Sequence, residues 1–194
     1  MSGRCRLSPG ISEPRCAHEL RSEFWDLGHK LFRSSKASFP ATFIHADLLN
    51  KEHITPGPPA KDPLDLASLS SLNQLRGQVT VIHAAALFHL FSKEQQLALA
   101  MSLGSLLADV SGATIFGWST GLAEAGYIEF ENNPPHPRQF CHSPSSWEEL
   151  WNGLVFQRGA VKVEARVVDF KFDIAVRLKR GESLKRLEWA VRRI

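Results

Sequence analysis

Residues 79–92 read Val79-Thr-Val-Ile-His-Ala-Ala-Ala-Leu-Phe-His-Leu-Phe-Ser92, and this stretch decides the fold. Val79 to Ala86 is almost unbroken apolar sequence with its β-branched residues at the front. A short run of that kind reads as a strand buried on both faces, as in a parallel sheet covered by helices. Ser92 with Gln95 is a capping box, in which each side chain satisfies the other's backbone N–H. It opens a helix from Lys93 to about Leu107, with Leu97, Met101 and Leu107 on the apolar face and Gly104 on that face without a side chain. Ala113 to Trp118 (ATIFGW) is a second buried strand. Strand, helix and strand at this spacing make a βαβ unit.

The pattern extends in both directions. Upstream, His18 to Ser34 is helical, with Leu20, Phe24, Leu27 and Leu31 at three- and four-residue steps and Trp25 and Phe32 beside them. Ala41 to Ala46 (ATFIHA) is a strand ending at Asp47. Pro56, Pro58, Pro59 and Pro63 make a loop of residues 50–63. Leu64 to Leu75 predicts a short helix stopped by Gly77. Residues 1–17, rich in Ser, Pro, Gly and Arg at the start, read as an irregular lead-in to one domain over 18–194.

Downstream, Ser146 with Glu149 repeats the capping signal ahead of Trp147, Leu150, Trp151 and Leu154. Val161, Val163, Ala165 and Val167 alternate with charged residues, and Phe170 to Leu178 continue the alternation one step out of phase. That slip predicts a bulge or break near Val168. Leu187, Trp189 and Val191 alternate again, so the last two runs predict an antiparallel pair turning at Gly181. The element order predicts a doubly wound α/β sheet, mostly parallel, with an antiparallel C-terminal pair.

Composition narrows the class. The 194 residues carry a formal charge of +3. Much of the late basic excess alternates with apolar residues, as on the wet face of a strand, which argues against nucleic-acid binding. Three cysteines at irregular spacing form no disulfide framework, so a reducing, cytoplasmic setting is expected. No run of about twenty apolar residues exists to cross a membrane.

Ligands of open α/β sheets bind beyond the carboxyl ends of the strands. Asp47, the stretch from His83 to Leu87, and Gly117 to Ser119 fall there. Asp47 suits an adenine amino group or a ribose hydroxyl, and equally a turn. His89, between Phe88 and Phe91, suits a substrate pocket and equally a half-buried packing role. Gly117-Trp118-Ser119-Thr120-Gly121 matches a hydrolase nucleophile elbow, but no Asp lies between it and His136 or His142. His136, Cys141 and His142 fit no standard zinc spacing, so no metal is expected. Neither a phosphate-binding Gly-Lys loop nor a Gly-x-Gly-x-x-Gly fingerprint occurs, which counts against a nucleotide-dependent oxidoreductase.

Several segments in this order and spacing resemble one family. Leu20 to Phe32, Phe43-Ile-His-Ala-Asp47, Val81 to Ser92, Gly126-Tyr127, and His142-Ser-Pro-Ser-Ser-Trp-Glu-Glu-Leu-Trp151 look like motifs of fungal class I methyltransferases that tailor meroterpenoids and related secondary metabolites. The resemblance covers roughly residues 19 to 193 and implies a Rossmann-like sheet with S-adenosylmethionine as methyl donor. It places Glu19 at the cofactor ribose, Asp47 and Leu48 at adenine, and Ala84 and Ala85 beside the sulfonium. It makes His89 or His142 the candidate base and an apolar polyketide- or terpenoid-like small molecule the acceptor, with O-methylation the expected outcome by a monomer or homodimer. The family's first strand and its glycine-rich turn have no counterpart here. The resemblance therefore also leaves a truncated methyltransferase, or a non-catalytic binding or regulatory partner on the same scaffold.

Overall fold

The computed structural model describes residues 15–130, 138–169 and 185–194. Its larger sheet has four strands in the order β3-β4-β8-β7, where β3 is Val81–Ala85, β4 Thr114–Gly121, β7 Val161–Asp169 and β8 Lys185–Arg193. β3 and β4 are parallel, while β8 runs antiparallel to both β4 and β7. A second sheet pairs β1 (Arg15–Glu19) with β2 (Ala41–His45) in parallel. A third pairs β5 (Gly126–Glu129) with β6 (Arg138–Cys141) as an antiparallel hairpin. The architecture is thus a mixed α/β one, with parallel and antiparallel pairs both represented, rather than mostly parallel.

One face of the larger sheet carries the core. Ile82, Ala84, Ile115, Leu187, Trp189, Val191 and Val161 project from it and are all buried. Helix α2 (Lys93–Leu106) packs there through Leu99, Ala100, Leu103 and Leu106. The capping box of Ser92 and Gln95 is present as expected. The apolar face is turned from the expected one, since Met101 is exposed and Leu97 only half-buried. Gly104 explains the rotation. A Cβ there would meet Val155 and Phe156, so α2 needs this position bare to lie against that segment.

Helix α3 (Pro144–Glu149) starts three residues earlier than expected, because Ser143 rather than Ser146 is its cap. Ser146 serves as the reciprocal partner of that cap, and Pro144 holds the first turn. The helix widens into a π-helical stretch, Leu150–Val155, broken at Asn152 and Gly153. Trp147 and Trp151 are fully buried and meet Trp189 and Phe88, with Trp147 centred 4.9 Å from each of the latter two.

Other expectations change. Arg15 to Ala17, assigned to the lead-in, begin β1, because pairing with Ala41 to Phe43 orders a run that lacks an apolar pattern. Of the helix expected over Leu64–Leu75 only a 3-10 turn, Leu72–Leu75, forms, capped by Ser71 and Gln74. β7 runs in unbroken register with β8 as far as Asp169↔Lys185, so no bulge interrupts it at Val168. The partner of β8 at the C-terminus is therefore β7. The run Phe170–Leu178 and the turn at Gly181 lie outside the described residues.

Helix α1 spans Ser22–Leu31 and buries none of its residues. It touches β2 through Trp25, whose ring stacks on Phe43 at 5.0 Å. The residues expected to be its core face are open: Phe24 is 51% exposed, Leu27 53% and Leu31 77%. Among the described residues, no helix is long and apolar enough to cross a membrane.

Candidate functional site

The carboxyl ends of the parallel strands gather most of the candidate residues into two groups. The first is at β1 and β2. Glu19 and His45 are register partners, and the Ala46 N–H donates to the Glu19 carbonyl at 3.3 Å. Glu19 thus ends β1 level with His45, two residues before Asp47. One Glu19 carboxylate oxygen accepts the backbone N–H of Leu20 at 2.9 Å and of Arg21 at 3.4 Å, which closes the turn into α1. Asp47 is similarly held: its Oδ1 accepts the Leu49 N–H at 2.9 Å, and its own N–H donates to His53 Nδ1 at 2.8 Å. Leu48 packs against the main core. Both carboxylates therefore stand in fixed orientations, each with one oxygen engaged by its own turn.

The second group is at β3 and β4. Ala84 and Ala85 pair with Gly117 and Trp118. A Cβ on Gly117 would overlap the Ala84 carbonyl, so glycine is what lets the two strands approach here. The next residue, Ala86, has a left-handed backbone with φ of 52° and donates its N–H to the Trp118 carbonyl at 2.7 Å. Few non-glycine residues adopt that conformation, and such strain concentrates at functional turns. It swings the chain out of β3 into the 3-10 turn Phe88–Leu90 that carries His89.

His89 and His142 flank the end of β4 without sharing a side of it. The Thr120 N–H donates to His89 Nδ1 at 3.4 Å, and the His89 ring lies parallel to Trp118, 6.4 Å between centroids. One residue along, Gly121 bridges to His142, whose ring turns the other way into Phe140 and Trp147. His142 Nδ1 is 2.9 Å from Ser146 Oγ, inside the cap of α3, and its Nε2 is buried without a partner among the described residues. Burial pushes the pKa of His89 down to about 4. Burial, followed by the charge of Lys93, does the same for His142. Both imidazoles are thus neutral near pH 7.

Two glutamines that no motif announces brace this end. Gln139 Nε2 donates to the His89 carbonyl at 2.6 Å, and Gln96 Nε2 bridges the carbonyls of Phe91 and Phe140. Together they tie the turn after β3 to the β5–β6 hairpin. Gly117 to Gly121 form no elbow. They run straight along β4, paired residue for residue with Trp189 to Lys185, and Ser119 is buried at 3% exposure. Its hydroxyl cannot be presented as a nucleophile, which removes the hydrolase reading. Cys141 is also buried, and desolvation pushes its thiol up to about 12. Its expected neighbour His136 lies outside the described residues, and among those described no metal-binding cluster forms.

A cleft of about 680 Å³ lies between β1 and α1. Glu19 is the one candidate residue on its wall, which is otherwise built largely from His18, Trp25, His29 and Phe39. Desolvation lowers the pKa of His18 there.

No family model matches the chain. It is 26% identical over 143 residues to a protein described as O-methyltransferase phiE from a fungus, Fungal sp. (strain ATCC 74256), a match over 73% of this chain and 41% of that protein. It is 21% identical over 142 residues to methyltransferase ausD of Penicillium brasilianum, covering 73% of this chain and 44% of that one. The chain spans less than half the length of the curated relatives it matches. These two distant homologues support a methyltransferase family for it.

Proposed function

We propose that the chain belongs to an S-adenosylmethionine-dependent O-methyltransferase acting on a small, apolar secondary metabolite. The observation that carries this reading is the similarity to two fungal methyltransferases over about three-quarters of the chain. The strand ends support it. Carboxylates at adjoining strand ends suit a ribose hydroxyl and an adenine amino group, and Asp47 keeps an oxygen beyond the one its turn uses. At the end of β3 the Ala84 methyl packs in the main core, while Ala85 is half-buried on the other face. On this reading Glu19 would hold the ribose, Asp47 and Leu48 the adenine, and the two alanines would border the sulfonium.

The bound donor would supply a methyl group already activated by positively charged sulfur. The protein then needs chiefly to position the acceptor and exclude water. A histidine with a pKa near 4 is a weak base at neutral pH. His89 therefore serves better as a positioning group, with Nδ1 accepting from Thr120 and the proton left on Nε2. His142 belongs to the cap of α3.

A second reading, a non-catalytic binding or regulatory partner, also has an observation behind it. Among the described residues β1 pairs with β2 and β3 with β4, and no strand joins the two parallel pairs. The resemblance assigns that position to the strand that precedes the glycine-rich cofactor turn. Calorimetric titration with S-adenosylmethionine separates the readings. The enzymatic one expects micromolar binding, weakened about tenfold by Asp47→Ala or Glu19→Ala. Absence of heat at saturating cofactor would overturn it and leave the binding partner.

A further inference from the structure

We infer that the open face of α1 is a self-association surface, on which a second copy of this chain packs its own α1 antiparallel. Phe24, Leu27 and Leu31 fall within about 60° of one another around the helix; Leu27 and Leu31 face away from Trp25, which holds α1 to β2, while Phe24 also borders the cleft beside it. With Leu20 just before the helix at 53% exposure, they form a continuous apolar strip. Roughly 100–150 Å² is open at each, so the strip approaches 500 Å². That is the scale of the largest apolar patch on a typical monomer, which is often a functional surface, and it is more than half of the roughly 800 Å² per partner that a standard interface takes.

The charges select the occupant. Glu23 and Asp26 lie in the first half of α1, and His29 and Lys30 in the second. Glu23 and Lys30 stand on the same flank of the strip, seven residues apart, with Leu27 near their midpoint. A two-fold axis perpendicular to the helix maps each flank onto itself in reverse order. An antiparallel second copy centred at Leu27 therefore sets Glu23 against the partner's Lys30, and Lys30 against the partner's Glu23. The same arrangement opposes the two helix dipoles favourably. A parallel copy would instead set this flank against the partner's opposite flank, which carries Gly28, and the Glu23–Lys30 pairing would be lost. Gly28, on the opposite flank, has nothing within 4 Å of where a Cβ would be and lets the backbones approach.

Sedimentation velocity on the full chain from about 1 to 100 µM tests this. The expected result is a monomer–dimer equilibrium within that range. Leu27→Glu should give monomer throughout with an unchanged far-ultraviolet dichroism spectrum, because the site is exposed. Glu23→Lys and Lys30→Glu should each weaken the dimer about fivefold, and the two together should restore it. A monomer at every concentration, a dimer insensitive to Leu27→Glu, or a double swap that fails to restore association would each overturn the proposal. So would a monomer that holds a different polypeptide on this face.

Discussion

α1 and α2 carry apolar residues at helical spacing, yet the structure treats them in opposite ways. α2 is wedged between the larger sheet and the segment after α3, with Leu99, Ala100, Leu103 and Leu106 sealed from water. α1 has the stronger one-sided pattern and buries nothing. Among the described residues its ring contacts outside the helix run largely through Trp25, which meets Phe43 and Phe39. The contrast shows what periodicity means physically. An amphipathic pattern states that a helix needs a partner; burial depends on whether the chain brings one. α2 is flanked by βαβ geometry that supplies a sheet on one side and three tryptophans nearby. α1 sits beyond a two-stranded sheet too narrow to cover it.

The sharpest way to break that contrast is to remove one tryptophan from each region. Trp147 is fully buried and meets Phe88, Trp151, Trp189 and His142. Trp147→Ala should cost about 3–5 kcal/mol, from lost transfer energy and the cavity left behind. Trp25→Ala, at a half-buried site, should cost about 1–2 kcal/mol. Urea midpoints of the two variants measure this, and equal losses would mean that α1 is as tightly packed as α3.

Acid should attack the packed region. His142 has its pKa lowered from 6.5 to about 4 in the folded chain. Between those values the unfolded chain binds more protons. The stability tied to this neutral histidine is therefore whole above pH 6.5 and is lost as pH falls toward 4. The expected loss is on the order of 3 kcal/mol. Denaturation curves at several pH values should show it, and His142→Phe should flatten the dependence. An unchanged slope in that variant would place the acid-sensitive group elsewhere, with His89 next in line.

A smaller loss is expected at Gly117. Adding a methyl there drives it into the Ala84 carbonyl, and the strands must part to make room. Gly117→Ala should cost about 2 kcal/mol by thermal denaturation. It should also weaken cofactor binding on the proposed reading, because Ala84 and Ala85 shift with it. A stable variant with intact binding would show that the rim of β3 does not need this close approach.

The sequence disclosed whatever rests on local chemistry. The β3 run, the Ser92–Gln95 cap and the strand from Ala113 onward are written in short-range patterns, and each appears where expected. β1 was not legible, because Arg15-Cys-Ala-His-Glu19 has no strand pattern of its own and is ordered by pairing with β2. The turn at Ala86 gave no warning, since nothing in an alanine announces a left-handed backbone. Among the site residues, Asp47 is placed at a strand end by the chain alone, whereas Glu19, inside a run that reads as helix, is placed only by the resemblance. The separation of His89 from His142 is not legible there, because it depends on which face of β4 each ring meets, and that is fixed by a hairpin the alternation did not reveal.

The smallest effect tests the exposed helix itself. Gly28 is interior to α1, where glycine costs about 0.5–1 kcal/mol relative to alanine through backbone entropy. A Cβ there meets nothing within 4 Å, so Gly28→Ala should raise stability by that amount in a dilute, monomeric sample. At concentrations where two copies associate, the same methyl would intrude between backbones drawn close at this position, and the gain should shrink or reverse. Thermal midpoints of the variant and the parent at low and high concentration therefore read the same residue in both states. A constant gain at every concentration would mean that the helix face stays open, which is the outcome α2 could never give.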